Sequence, residues 1–104
     1  MSKTATTYQP HLLDPHSAEP QPVSPRNGTH FRLPELYALL DCRTVDVVRL
    51  TPELILIIDD ESKFRNPCHL NLLATYLWYR HQPEARGQDS IVGRAVLCHD
   101  NQFR

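Results

Sequence analysis

The sequence predicts a small α+β domain, in which a mostly antiparallel sheet of about four strands carries two helices packed on it. Two observations indicate the sheet, because 44–50 is rich in β-branched residues and 54–58 is a continuous apolar run of strand length. A third indicates a helix, because apolar residues recur at helical spacing between Leu70 and Leu77. A chain of 104 residues has room for one hydrophobic core.

The N-terminal segment 1–26 is predicted to be a proline-rich arm, partly disordered or containing a short edge strand. Proline removes a backbone donor and blocks helix formation. Leu12 and Leu13, with Tyr8, are placed to anchor an edge strand within 7–13, and an edge strand tolerates a proline. Residues 14–26 are expected to be a stiff, proline-rich connector.

The first helix is predicted to begin near Pro34 and to end near Asp41. Proline suits the first helical turn, and Glu35 lies favourably at the positive end of the helix. An apolar stripe from Leu33 to Leu40 predicts the buried face of this helix. The helix is short, so packing against the sheet must stabilise it.

A hairpin and a second helix are predicted after the apolar strand. The acidic segment 59–62 is expected to be a turn, and 63–65 to return along the sheet. Asn66 is a good N-cap and Pro67 suits the first helical position, so the second helix is predicted to begin there. The basic residues at 80–81 favour the negative end of this helix.

The last strand is predicted at 89–98, after a loop at 82–88. Gly93 interrupts the pattern and indicates a bulge or a close backbone approach. The single domain is therefore expected to span 27–98, and 99–104 to form a C-terminal tail.

Four sequence motifs between Asn27 and Cys98 follow one another in a recognisable order. They are Phe31-Arg32-Leu33-Pro34-Glu35-Leu36; Val45-Asp46-Val47-Val48 followed by Ile57-Ile58-Asp59-Asp60-Glu61-Ser62-Lys63; Asn71-Leu72-Leu73-Ala74-Thr75; and Asp89-Ser90-Ile91-Val92-Gly93-Arg94-Ala95-Val96-Leu97. Their order and spacing resemble the uncharacterised family catalogued as domain of unknown function 3846, carried by bacteria, phages and plasmids. The resemblance implies an α+β domain present on mobile elements, and it implies no activity.

The chain departs from this family pattern at two turns. Asp41-Cys42-Arg43 stands where the family usually has a glycine pair, and Ser62 stands where it tends to have glycine. The resemblance therefore implies that the turn geometry differs at these two places.

Composition narrows the classes of function. The 11 basic and 12 acidic residues nearly cancel, so no electrostatic footprint for nucleic acid is visible. No apolar run of about 18 residues is present, so we expect a soluble, cytoplasmic protein without a membrane span. Three cysteines without CxxC spacing fit a reducing compartment.

No catalytic residue, metal site or cofactor is predicted. The carboxylates at 59–61 lack the spacing of a calcium loop. Zinc needs about four ligands, and Cys68-His69 and Cys98-His99 each offer about one, because adjacent side chains diverge. Whether these pairs bind metal is left open. No local signature of nucleophilic catalysis surrounds Cys68, so the sequence favours a protein that is not an enzyme.

The leading hypothesis is a non-enzymatic binding module of a mobile genetic element that binds a host protein or sequesters a ligand. Tyr76, Trp78 and Tyr79 are the predicted partner-binding residues, because tyrosine and tryptophan are enriched at interfaces. Packing in the core is the plainer interpretation of these aromatic residues. Self-association into a homodimer is an open alternative.

The second hypothesis is a nucleotide or small-ligand binding protein, with or without hydrolytic activity. Asn71, Asp89 and Arg94 would contact the ligand in a concave polar pocket between the second helix and the last strand. The structural alternative is that Asn71 and Thr75 hydrogen-bond to neighbouring backbone.

Overall fold

The computed structural model describes residues 8–65 and 67–103. Its elements are β1 (His11–Leu13), β2 (Gln21–Pro22), α1 (Leu33–Leu40), β3 (Val45–Arg49), β4 (Leu54–Asp59), α2 (Leu72–His81) and β5 (Ala95–His99). The strands form one antiparallel sheet in the order β2-β1-β5-β4-β3. The α+β prediction is confirmed, with one strand more than the four expected. Within the described ranges no helix is long and apolar enough to cross a membrane.

The two helices cover opposite faces of the sheet. Alternate residues of a strand point to opposite faces. On one face Ile55 and Ile57 pack in a core cluster with Leu36 of α1, and on the other Leu56 packs with Ala74 of α2. All five side chains have 0% exposure. Burial on both faces explains why β4 is a continuous apolar run rather than an alternating one.

The first helix begins as the sequence predicts. Glu35 accepts hydrogen bonds from the backbone N–H groups of Arg26 at 2.8 Å and Arg32 at 3.2 Å. The bond from Arg26 is the main cause of the lowered pKa of Glu35. Asp41 ends the helix in the left-handed region, with φ of 52°. The carboxylate thus ties the preceding loop to the first turn of α1.

The return strand predicted at 63–65 is wrong. Residues Ser62–Phe64 form a 3-10 turn instead. Asp59 directs the bend, because its carboxylate accepts from the backbone N–H of Glu61 at 2.9 Å and from Nε of Arg65 at 2.7 Å. A return strand has no place to pair, since both edges of β4 are occupied by β3 and β5.

The second helix begins five residues later than the sequence predicts. The predicted N-cap, Asn66, lies outside the described residues, and Pro67 is in an exposed loop before α2. The observed N-cap is Asn71, whose side chain accepts from the backbone N–H of Ala74 at 3.1 Å. Asn71 is 1% exposed and makes tertiary hydrogen bonds, and these contacts select it as the helix start.

Two short segments of the N-terminal arm, His11–Leu13 and Gln21–Pro22, belong to the sheet. β1 lies between β2 and β5, so the strand predicted near 7–13 is an inner strand rather than an edge strand. Leu12 and Leu13 are buried as expected, and they join the core clusters on opposite faces. The edge is β2, which lies within the segment predicted to be only a connector. The part of the predicted strand at residue 7 lies outside the described range.

The C-terminal end also differs from the prediction. β5 begins at Ala95 rather than near residue 89, because Gly93 at φ of 81° interrupts the strand. The predicted tail contains a 3-10 turn at Asp100–Gln102. Gln102 is buried, donates to the carbonyl oxygen of Tyr8 at 2.8 Å and accepts from the backbone N–H of His99 at 2.8 Å. These bonds make the segment part of the domain.

Candidate functional site

Asn71 uses its side chain for internal hydrogen bonds. Its Nδ2 donates to the carbonyl oxygens of Leu13 at 2.9 Å and Gly93 at 2.8 Å, while its Oδ1 accepts from Ala74. The two donors of an amide are thereby both used. Asn71 joins β1, α2 and the segment before β5, so its role is structural.

Thr75, one turn further along α2, makes a similar link. Its Oγ1 accepts from the backbone N–H of Ile91 at 2.9 Å and donates to the carbonyl oxygen of Ile91 at 3.3 Å. The structural interpretation of Asn71 and Thr75 is confirmed by these bonds. The Asn-x-x-Ala-Thr motif thus fastens α2 to the segment before β5.

Asp89 and Arg94 are engaged with different partners. Asp89 forms an ion pair with Lys63. Arg94 pairs with Asp14 at 3.3 Å through Nε, and it also donates to a backbone carbonyl in α1. Asn71, Asp89 and Arg94 line three different depressions, of which those of Asn71 and Arg94 adjoin at Asp14, Pro15 and His16, and none of the three is lined by all three residues.

Arg94 and Arg65 donate hydrogen bonds to backbone carbonyl groups at the C-terminal end of α1. Arg94 donates to the carbonyl oxygen of Leu39 at 3.2 Å, and Arg65 donates to that of Asp41 at 3.2 Å. The last turn of α1 has no basic residue of its own. The two guanidinium groups therefore satisfy carbonyl groups at the negative end of the helix.

The cysteines are free thiols in different environments. Cys68 is exposed, Cys42 is half-buried and Cys98 is buried. Burial raises the pKa of the Cys98 thiol to about 12, and the Asp100 carboxylate adds to this effect. Across residues 8–65 and 67–103, no group of three or more His, Cys, Asp or Glu side chains is placed to hold a metal ion.

The three predicted partner-binding residues differ in exposure. Trp78 is half-buried, packs against the core on the α2 side and donates from Nε1 to Gln82 at 3.1 Å. The hydroxyl of Tyr79 donates to the carbonyl oxygen of Asp89. Tyr76 alone among the three is mostly exposed, at 57%. The surface available to a partner therefore centres on Tyr76.

Most of the exposed large apolar side chains lie in the sequence between residues 64 and 76, before and along α2. Of the five large hydrophobic side chains exposed in the described ranges, four are Phe64, Leu70, Leu72 and Tyr76. Leu72 and Tyr76 are four residues apart on α2, so they are neighbours on its outer surface. The partner-binding residues predicted from the sequence were Tyr76, Trp78 and Tyr79, and Leu72 was not among them. Leu72 is more exposed than Tyr76, at 72%, because the sheet covers another side of α2.

The sequence of the same region carries positive side chains and no negative one. Residues 62–83 contain no Asp or Glu, although the whole chain is nearly neutral. Of their positive side chains, Lys63 pairs with Asp89 and Arg65 pairs with Asp59, both from outside this segment. Arg80 lies beside Tyr76, with an Nη1-to-hydroxyl distance of 3.4 Å. We call Leu72, Tyr76 and Arg80 the outer face of α2.

The fold and this surface define a small α+β domain, with a five-stranded sheet between two helices and an apolar outer face on α2 that carries Arg80. The model of the family described as Domain of unknown function (DUF3846) matches residues 11–103, so the chain belongs to that family. No curated protein and no solved structure matches the chain. The match runs from the start of β1 to Phe103, and it therefore includes both ends that pack into the fold.

Proposed function

We propose that the protein is a non-enzymatic binding module of a mobile genetic element, and that it binds a host protein through the outer face of α2. The exposure of Leu72 and Tyr76 on adjacent turns carries this proposal. Fully burying a side chain of this size contributes about 1.5–3 kcal/mol, which is a strong reason for such residues to be covered by a partner. The setting on a phage or plasmid rests on the family resemblance.

Charge suggests the chemistry of the partner. Arg80 lies beside the apolar side chains, and among the described residues it forms no ion pair with a carboxylate. Complementary charges speed association and exclude wrong partners. The proposed partner therefore presents apolar side chains flanked by Asp or Glu. The proposed location is the cytoplasm, which fits the free thiols of the three cysteines.

The internal hydrogen bonds of Asn71 and Thr75 support protein binding over small-ligand binding. These side chains are buried and bonded to backbone groups of Leu13, Gly93 and Ile91. A ligand would have to break those bonds to use them. The outer face of α2 needs no such rearrangement.

Affinity capture tests the proposal. The wild-type chain is immobilised and exposed to an extract of the bacterium that carries the element, beside a double variant, Leu72→Glu with Tyr76→Glu. The matched control is Leu33→Glu, which charges another exposed leucine, on α1. We expect the wild type and the control to retain one host protein that the double variant loses.

The captured protein is then purified and titrated. We expect its affinity for the wild type to fall as salt is added, because the proposed contacts include charge pairs. Retention of the same protein by the double variant would show that the outer face of α2 is not its binding surface.

A further inference from the structure

The outer edge of β3 offers backbone hydrogen-bonding groups. β3 is the last strand of the sheet, and no described strand pairs with its outer side. Leu50 donates to Leu54 at 2.9 Å and Asp60 donates to Thr44 at 3.2 Å, at the two ends of the β3–β4 ladder. Bonding alternates along an antiparallel ladder, so the odd-numbered residues of β3, from Val45 to Arg49, direct their N–H and C=O groups outward.

A groove of about 400 Å³ lies beside this edge, on the α2 side of the sheet. Val48 and Ile58 lie on the sheet side of the groove, and Trp78 of α2 lines the opposite side. Lys63 and Asp89 also line it, and they are paired with each other. The groove thus combines apolar walls with a charge pair that is already neutralised.

Gln82 spans the gap between α2 and β3. Its Oε1 accepts from Trp78 at 3.1 Å, and its Nε2 donates to the outward carbonyl oxygen of Arg49 at 2.6 Å. The outward N–H of Val47 is likewise bonded, to Oδ1 of Asp46 at 2.8 Å. Two outward groups of β3 are therefore occupied by side chains, those of half-buried Gln82 and exposed Asp46, which an incoming backbone can replace.

We propose that the edge of β3 and this groove form a docking site for an extended segment of a protein partner, which pairs with β3 as an added strand. Outward N–H and C=O groups that recur at every second residue match the backbone of another strand. Alternate side chains of that strand point to the α2 side of the sheet. The groove beside Val48 and Trp78 accommodates one of them, which we expect to be apolar because Val48, Ile58 and Trp78 line the groove.

This docking site shares no residue with the outer face of α2. It uses the edge of β3 and the Trp78 side of the helix, whereas the proposed host-protein surface uses Leu72, Tyr76 and Arg80. The two proposals can therefore fail independently. Substitutions at Leu72 are expected to leave strand addition unchanged, and substitutions in β3 to leave capture through Leu72 unchanged.

A phage-displayed library of random eight-residue peptides, panned on the full chain, provides the probe. We expect enriched peptides to carry apolar residues at alternate positions. The peptide with the strongest enrichment is synthesised and titrated by calorimetry, and its contacts are mapped on the ¹⁵N-labelled chain. The amide signals of Val45, Val47 and Arg49 are expected to shift most.

Three variants separate strand addition from other modes of binding. Val47→Pro removes an outward donor and leaves the inner ladder intact, so we expect at least tenfold weaker binding, with Val47→Thr as the control that keeps the N–H. Asp46→Ala removes the competing acceptor, so we expect binding to become severalfold tighter. Val48→Lys charges the groove without removing any backbone group, so we expect weaker binding. Urea unfolding checks that each variant is folded.

Three results would overturn the proposal. The first is the absence of any peptide enriched above the blank support. The second is equal affinity of the enriched peptide for the wild type and for folded Val47→Pro and Val48→Lys. The third is a concentration-dependent dimer of the wild type that Val47→Pro abolishes, since the edge would then belong to a second copy of the chain.

Discussion

The side-chain amide of Asn71 donates a 2.9 Å hydrogen bond to the carbonyl oxygen of Leu13, which lies 58 residues earlier in the chain. The same nitrogen donates to Gly93 at 2.8 Å. Asn71 also caps α2 through its Oδ1. One buried side chain therefore holds together the inner strand of the arm, the second helix and the approach to β5.

Replacing Asn71 with alanine should lower the free energy of unfolding by about 3 kcal/mol. Loss of an N-cap costs about 1 kcal/mol, and buried carbonyl groups left without donors add about 1–3 kcal/mol. Urea unfolding measures the difference. The control is Asn101→Ala, at an exposed asparagine, which we expect to change stability by less than about 0.5 kcal/mol. Equal stability of the two variants would contradict the role given to Asn71.

Thr75→Val should destabilise the fold by about 1–2 kcal/mol, although it nearly preserves the shape of the side chain. Valine has no hydroxyl, so the buried backbone N–H of Ile91 loses its acceptor at 2.9 Å. Thr75→Ser keeps the hydroxyl and should recover most of the loss. Thermal unfolding of the three proteins gives the comparison. If valine is tolerated as well as serine, the bond to Ile91 contributes little.

Cys98 should make the folded state less stable as the pH rises above about 8.5. Burial raises its pKa to about 12 in the folded chain, whereas an unfolded thiol titrates near 8.5. The unfolded state therefore loses its proton first, and stability declines between these two values by about 1.4 kcal/mol per pH unit. Below about pH 8.5 the Cys98 thiol is protonated in both the folded and the unfolded chain, so its contribution to the free energy of unfolding is fully present there.

Urea unfolding from about pH 8 to about pH 10 measures this decline. Cys98→Ala should show a shallower decline than the wild type, and Cys68→Ala, which removes an exposed thiol, is the matched control. The same slope in all three proteins would show that the thiol of Cys98 does not titrate differently on unfolding. Iodoacetamide provides a second measurement, since Cys68 should react in the native protein and Cys98 only after unfolding.

Elements with strong local signals were predicted well. Pro34 and Glu35 mark the start of α1, and the apolar run from Leu54 predicts β4, because helix entry and strand hydrophobicity are properties of neighbouring residues. The return strand at 63–65 was wrong for a reason that no local pattern contains. Its place beside β4 is taken by β5, which lies more than 30 residues further along the chain.

The helix start shows the same limit. Asn66 and Asn71 are both suitable N-caps in the sequence, and Asn71 meets carbonyl groups of β1 and Gly93 in the folded chain. The candidate ligand residues Asn71, Asp89 and Arg94 likewise looked available because their hydrogen-bond partners are distant in sequence. Polar residues on two elements that are predicted to be neighbours need not line the same pocket.

The order of apolar and polar residues by itself determined the α+β class, the first helix, the central strands and the family resemblance, because these depend on local periodicity and composition. The tertiary structure alone decided which asparagine caps α2, which strands form the edges of the sheet and which apolar residues of α2 face solvent. Those outcomes depend on contacts between distant segments, whose free energy is gained only when the whole sheet is assembled.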